Sequence, residues 1–387
     1  MANLEKIMSV SAGDIEKIMG VAKGSIEKVM GLELGDPTWQ GSRAVSIGRQ
    51  LSSGSGIPAP VVRYVQTLYR TISTSGSDAA DFSDLDSWSV AAGHNKGLGE
   101  GPSSLASNSV YTVYWGGYES WKVGGTAAAF SDQGIVMTIA SGSDAVFGTS
   151  GFDFASQYGG QACNAIVSHH IGGTSDTAGT EVATGHKLTI GTSGSASSSG
   201  SLVAVGSLVA ARQGCPGISH STYGYFCGGW LGNPAATIVN EIQKITIGSD
   251  SDATDQGDMT VVNAWASGSE DATRGINYCG WEWGGYKVDI GYFSTDSGGN
   301  ASDFGDRSNS AVYGGAAGNG TICEFWGGTT SAGTGTFMTQ IFYVTVQSTS
   351  NAIDTGQSSE WDSISFPNGG HSNRTGTAMC SLASGIS

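Results

Sequence analysis

QKITIGSDSDATDQGD (243–258) and IGYFSTDSGGNASDFGD (290–306) are two copies of one pattern. Each has a short β-like run, a loop of Gly, Ser, Asp and Ala, and an Asp-x-Gly-Asp step. The pattern recurs at LYRTISTSGSDAADFSD (68–84), IVMTIASGSDAVFG (135–148), HKLTIGTSGSASSSG (186–200) and FYVTVQSTSNAIDTG (342–356), which makes six openings. All but the last are followed by a β-run that stops at Gly-Gly: VYTVYWGGY (110–118), IVSHHIGGT (166–174), YGYFCGGW (223–230), CGWEWGGY (279–286) and CEFWGGT (323–329). Units of about 50 residues made of short strands stack radially as blades, not along a solenoid. The expected fold is all-β, a six-bladed β-propeller over 38–387.

Six openings have five Gly-Gly closings. The sixth block, 361–387, ends without one, while SRAVSIGRQ (42–50) precedes the first opening with no opening of its own. Its Ile47-Gly48 matches Trp115-Gly116 and Trp326-Gly327. A ring of sheets must close, so 42–50 is expected to pair with a strand near 376–383.

The 387 residues include 62 Gly, spread over turns and strand ends, where tight turns in a many-stranded sheet protein need them. The 10 Trp, 13 Tyr and 12 Phe exclude a low-complexity disordered chain. Lys and Arg number 17 against 33 acids, a net charge of −16, which argues against nucleic-acid phosphates and anionic lipid as partners. Residues 1–35 carry Lys and Glu every few positions and lack the apolar core of a secretory signal. No apolar run of about 18 residues occurs, so no membrane helix is expected. Such a composition without an export signal suits release by lysis, as part of a virus particle.

A second repeat, with a period of 11, fills the N-terminus: NLEKIMSVSAG (3–13), DIEKIMGVAKG (14–24) and SIEKVMGLELG (25–35). Asn3, Asp14 and Ser25 are good helix N-cap types, and Gly20 and Gly31 stand where a glycine would end a turn. Three short capped helical turns are favoured over 1–37. An 11-residue coiled-coil pattern and a short strand through Ile15, Lys17, Met19 and Val21 remain open. The apolar face of Ile15, Ile18, Met19, Ile26, Val29 and Met30 is too small to form a core alone and is expected to attach the chain to a partner.

The six cysteines form no CxxC. Cys163, Cys215 and Cys380 fall at matching places in three blocks, and Cys227, Cys279 and Cys323 fall in closing strands. All are expected as small buried thiols, with Cys215 and Cys227 the one pair that could face each other across a hairpin.

NASDFGD (300–306), ATRGINYCGWEWGG (272–285) and TAMCSLA (377–383) resemble the tandem units of Gly-rich, kelch-like repeat proteins of tailed phages, marine ones especially, of the tail-fibre or virion-structural type. The 11-residue IEKIMGVAKGS unit is similar to N-terminal repeats of phage structural proteins. The resemblance covers nearly the whole chain. It departs at block 3, where SSSG replaces Asp-Phe-Gly-Asp, and at an insertion in block 1 (94–104). It implies a virion protein, with other virion proteins as partners through 1–36 and a homo-oligomeric state.

No catalytic residue, metal site or cofactor is expected. Sialidase-type Asp boxes are absent, the eight arginines are scattered, and nothing marks a carboxylate pair for glycoside cleavage. Asp250, Asp252, Asp255 and Asp258 repeat at one place in several blocks, which favours Asx-turns over calcium. His169 and His170 are neighbours on a strand and point to opposite faces. Among aromatics at strand ends, Trp115, Trp283 and Trp326 are expected to wedge between blades, and Trp230, Tyr118 and Tyr286 to face outward. Flat aromatic faces among polar groups suit sugars. The expected function is a tail-fibre or appendage-like virion protein that attaches by its N-terminus and presents a propeller to a host-surface glycan. The alternatives are a ligand-free capsid or collar decoration protein and a propeller glycan hydrolase.

Overall fold

A computed structural model gives the fold. It describes residues 158–357 apart from 165, 176–179, 190–202, 233–236, 313, 329 and 331–337; beyond that span it describes Ile72, Thr74 and the backbone of the strands named below. The chain divides into two units, 1–42 and 43–387; the sequence had placed the boundary after 37.

The larger unit is all-β in a propeller arrangement, with no helix among the described residues. Four blades are defined, against the six expected. Each is a four-stranded antiparallel sheet in simple chain order. They are Gly160–Cys163, Val167–Ile171, Gly185–Thr189 and Val203–Val205; Gly217–Ser219, Tyr223–Cys227, Glu241–Thr246 and Thr254–Asp258; Ser267–Glu270, Arg274–Glu282, Gly285–Ser294 and Ser302–Asp306; and Gly315–Gly318, Ile322–Trp326, Gln340–Thr345 and Ile353–Ser358. Two further four-stranded sheets are known by strand pairing, without their side chains. One joins Leu105–Ser107, Tyr111–Trp115, Gly134–Thr138 and Val146–Phe147; the other joins Ala378–Cys380, Arg43–Arg49, Val65–Thr71 and Ala80–Asp84.

The last sheet contains the expected pairing. Ala378 faces Ile47, Met379 faces Ser46 and Cys380 faces Val45, while Arg43–Arg49 pairs on its other side with Val65–Thr71. The N-terminal strand is thus the second strand of a sheet whose first strand comes from the C-terminus.

The sequence units are offset from the blades. An opening supplies the third and fourth strands of one blade, and the Gly-Gly closing after it is the second strand of the next. Residue types follow strand position. First strands are small (GQAC, GIS, GAAG) because neighbouring first strands pack against one another. Second strands are buried on both faces by the flanking blades: Tyr225, Phe226 and Cys227 are all buried, as are Cys323, Phe325 and Trp326, and in the first blade the polar Ser168, His169 and His170. Fourth strands are largely exposed, and polar in all the defined blades but the first, where the strand reads VAV. Ring stacking ties blades together: Tyr278 lies flat on Phe325 of the next blade, with centroids 3.6 Å apart. Each such buried side chain contributes about 1.5–3 kcal/mol.

Of the four acids expected in Asx-turns, Asp255 forms one, as do Asp303 and Asp354 at the same step of later blades, whereas Asp250 pairs with Lys187 and Asp252 accepts the Ser207 N–H. Oδ1 of Asp255, Asp303 and Asp354 accepts the N–H of Gly257, Gly305 and Gly356, at 3.0, 3.0 and 2.8 Å. At each of these steps the ladder to the third strand shifts register, the mark of a β-bulge. At the opposite end of the first strand, Asn164, Asp271 and Asn319 each accept two backbone N–H groups and turn the chain into the second strand.

The 1–42 unit corrects the helical expectation. Lys17–Ile18 pairs with Val21–Ala22, and Lys28–Val29 with Leu32–Glu33, as two antiparallel hairpins. Met19-Gly20 and Met30-Gly31, which separate these strands in the sequence, lie outside the described residues.

Candidate functional site

Where a second strand ends, the chain must leave the sheet and meet the linker to the next blade. Gly228 and Gly229 do this with φ of 58° and 108°, and a Cβ on Gly228 would stand 2.4 Å from the Asn263 carbonyl. The Gly229 N–H donates to Asn263 O at 2.8 Å. Trp230 then turns back and exchanges two backbone hydrogen bonds with Gln213 of its own entry linker. The next blade repeats this with Cys279, Gly280 and Trp281: Cys279 takes φ of 54°, and Trp281 exchanges two bonds with Ala264.

The equivalent of the other Gly-Gly pairs in that blade is therefore Cys279-Gly280, not Gly284-Gly285. The strands carry on past it, Glu282 pairs with Gly285, and Trp283-Gly284 is a two-residue hairpin tip. Four tryptophans and a tyrosine collect here. Trp265 is buried on the linker, with Trp230 and Trp281 half-buried beside it. Ring centroids are 5.5 Å apart for Trp230–Trp265, 5.4 Å for Trp265–Trp281 and 6.4 Å for Tyr158–Trp265. Trp283 meets Trp281 at 5.0 Å and Trp230 at 6.0 Å, the latter with ring planes at 81°. It is 59% exposed.

Charges around the cluster are paired. Arg212 is fully buried and donates to Glu241 Oε2 at 2.5 Å and to Gly228 O at 3.0 Å. The Arg212 bond is the main reason the Glu241 carboxyl lies below the usual carboxylate range. Lys287 bridges to Glu282 on the hairpin. Glu181 accepts from Gln213 Nε2 at 2.8 Å.

The expected site residues separate. Trp230 belongs to the cluster, as a half-buried wall. Tyr286 is half-buried and stands opposite Trp281 in the hairpin. Tyr118 starts a two-residue strand paired with Ala129–Phe130, as Trp230 does with Thr237–Ile238; its side chain, like that of Trp115, lies outside the described residues. Trp326 is core, as expected, and donates to the buried Glu324 at 3.0 Å. Trp283, expected as core, is overturned: it is the exposed member. Of the attachment residues, Ile18 and Val29 lie in the hairpin strands, and Ile15, Met19, Ile26 and Met30 lie outside the described residues.

The other polar groups singled out by type are structural. Cys163, Cys215, Cys227, Cys279 and Cys323 are buried and free, and burial raises Cys279 to about 12. Thiolate, the reactive form, is thereby disfavoured. Glu270 is buried and its carboxyl is pushed well up by burial, opposed by the backbone N–H of Ser219 in the preceding blade. Ser219 Oγ does the same one blade earlier, accepting the Cys163 N–H at 3.0 Å. Glu270 thus laces blades together. No cluster of His, Cys, Asp or Glu suited to a metal occurs among the described residues.

No protein family matches the chain, and no curated protein matches it.

Proposed function

We propose that this is a virion protein of a tailed phage, tail-fibre or appendage-like, that attaches through 1–42 and presents its ring to a host-surface glycan without cleaving it. In this reading the six four-stranded sheets are six blades of one ring. The first strands support it: Leu105–Ser107 contacts both Gly160–Cys163 and Ala378–Cys380, and Ala378–Cys380 also contacts Gly315–Gly318, which completes a cycle through the first strands of the four defined blades. A ring closed by pairing of its two chain ends is a rigid support that holds its rim residues in place.

The observation that carries the binding role is the tryptophan cluster at the Gly-Gly end, with an exposed indole at the tip of a hairpin. Several copies on one particle would turn weak single contacts into useful avidity. Virion location rests on the resemblance of NASDFGD and the IEKIMGVAKGS unit to phage repeats. The test is antibody labelling of purified particles, with competition of particle adsorption by the soluble chain. Labelled particles whose adsorption the soluble chain blocks support the proposal. Unlabelled particles, or release of sugar from host envelopes by the chain, overturn it.

A further inference from the structure

We infer that the corner formed by Trp283, Trp230 and Trp281 takes one neutral pyranose unit of a glycan; this rests on the proposed adhesion and names its ligand class. Three observations lead there.

The first is shape. Trp283 stands at right angles to Trp230 and at 62° to Trp281, and it is 59% exposed. The exposed indole is a flat apolar wall about the size of one sugar ring, held by its neighbours and by the two-residue tip of a paired hairpin. The C–H face of a pyranose stacks on such a wall, as aromatic faces with a negative quadrupole favour.

The second is the setting of that wall. Trp283 is the one aromatic among the large hydrophobic side chains exposed in the described residues; the others, Ile166, Val203, Val209 and Ile353, belong to other blades or linkers. A protein partner would need a contiguous apolar patch of several hundred Å². A single indole fits a small ligand that stacks one ring on it instead; by the hairpin register the Glu282–Lys287 pair lies on the face opposite Trp281, so the contact is made by the aromatic wall.

The third is charge. The cations near the corner, Arg212 and Lys287, are already on Glu241 and Glu282, and Arg212 is fully buried. The chain as a whole carries −16. Among the described residues an acidic sugar would meet no unengaged cation here, and it would meet a repulsive field, so the class is neutral.

The experiment titrates the full chain with cellohexaose, mannohexaose and neutral agarohexaose, and with an oligogalacturonate hexamer, following tryptophan fluorescence and heat. At least one neutral hexamer is expected to saturate. Trp283→Ala should weaken it about tenfold or more while Trp283→Phe stays within about threefold, and oligogalacturonate should bind at least about tenfold more weakly at about 0.15 M salt. Trp283 is an exposed hairpin tip, so these variants should keep the wild-type melting temperature. No saturation by any neutral hexamer, unchanged affinity in Trp283→Ala, or equal affinity for oligogalacturonate overturns the inference. A flat sugar titration with particles that the soluble chain still blocks removes the sugar corner and leaves adhesion; saturable sugar binding with unlabelled particles removes the virion role and leaves the corner.

Discussion

The backbone N–H of Asp258 donates to Oδ1 of Asn300, in the next blade, at 3.0 Å, and the Ala301 N–H returns a bond to the Asp258 carbonyl at 2.7 Å. Asp306 stands in the same relation to Asn351 and Ala352, and Ser207 to Asp252 and Ala253. The loop that looks like a calcium sequence is therefore a two-bond clamp between the outer strands of successive blades. Its Asx-turn aspartate bends the fourth strand, and its first Asn or Asp caps the blade before.

Asn300→Ala and Asn351→Ala should each cost about 0.5–1.5 kcal/mol in urea unfolding, the net value of one hydrogen bond. Asn300→Asp should cost less, because Asp252 fills this role in a neighbouring blade. The two alanine changes lie in different seams and should add. A double variant no weaker than either single one would show that the clamps do not hold the seams.

The pairing of Arg43–Arg49 with Ala378–Cys380 and Val65–Thr71 assigns a different role to each part of the N-terminus. Deleting 1–42 removes only the hairpin unit, and the melting temperature of the body should not change. Deleting 1–50 takes the second strand from a four-stranded sheet and leaves Ala378–Cys380 without its partner. Thermal melting of the two truncations, side by side, should show a large loss only in the longer one.

The blade architecture was legible because its punctuation is chemical: Gly-Gly where a strand leaves the sheet, Asp-x-Gly-Asp where the outer strand bulges. The strand supplied by 42–50 was legible by count, one closing short against one strand in surplus, and by Ile47-Gly48, which keeps only the first glycine of the Gly-Gly pair. Phase was not legible, because a repeat read linearly has no preferred starting point; only pairing shows that an opening and the closing after it lie in different blades. At 279–285 two glycine signals compete. Cys279 takes a positive φ that the other blades give to glycine, so Gly284-Gly285 drew the alignment and Trp283 was put in the core. In 1–42, N-cap types and glycines fit helical turns and hairpins alike, and local propensity could not separate them.

Stability should fall on the acid side through three histidines. His169 Nε2 accepts the Gly248 N–H at 2.9 Å, across two blades, so its ring is neutral. Burial and then Lys187 lower it to about 4, against Asp250; burial and then His186 lower His170 to about 3; burial lowers His186. These groups take up protons more readily when unfolded. Their contribution is complete above the ordinary value of about 6.5 and is lost as pH falls through 6.5 toward 4 and 3. Glu270 acts in the opposite sense: its raised folded value favours the fold below about 4.5 and weakens it as pH rises. Urea midpoints from pH 7.5 to 4.5 should decline, and more steeply in Glu270→Gln, which removes the opposing slope. A flat profile in Glu270→Gln would mean that the histidines are not neutral in the folded ring.

A close backbone approach between two blades tests how tightly they are drawn together. A Cβ on Gly217 would stand 1.9 Å from the carbonyl oxygen of Gln161 and 2.4 Å from its carbonyl carbon. Both are backbone atoms of the neighbouring first strand, which cannot rotate away as a side chain could. One methyl at this position must push two first strands apart, and through the contacts between successive first strands that displacement reaches the neighbouring seams. Gly217→Ala should therefore destabilise by about 1–3 kcal/mol or more, the usual range for overpacking, and expose apolar surface between the blades. Gly284→Ala is the control. Unlike Gly217 it has a positive φ, 113°, but an added Cβ there meets nothing within 4 Å, so its cost is only the local backbone strain at the hairpin tip. Thermal melting with a dye for exposed apolar surface should separate them, Gly217→Ala melting well below Gly284→Ala. Equal melting would mean that the first strands have room to spread and that the ring is not held at this contact.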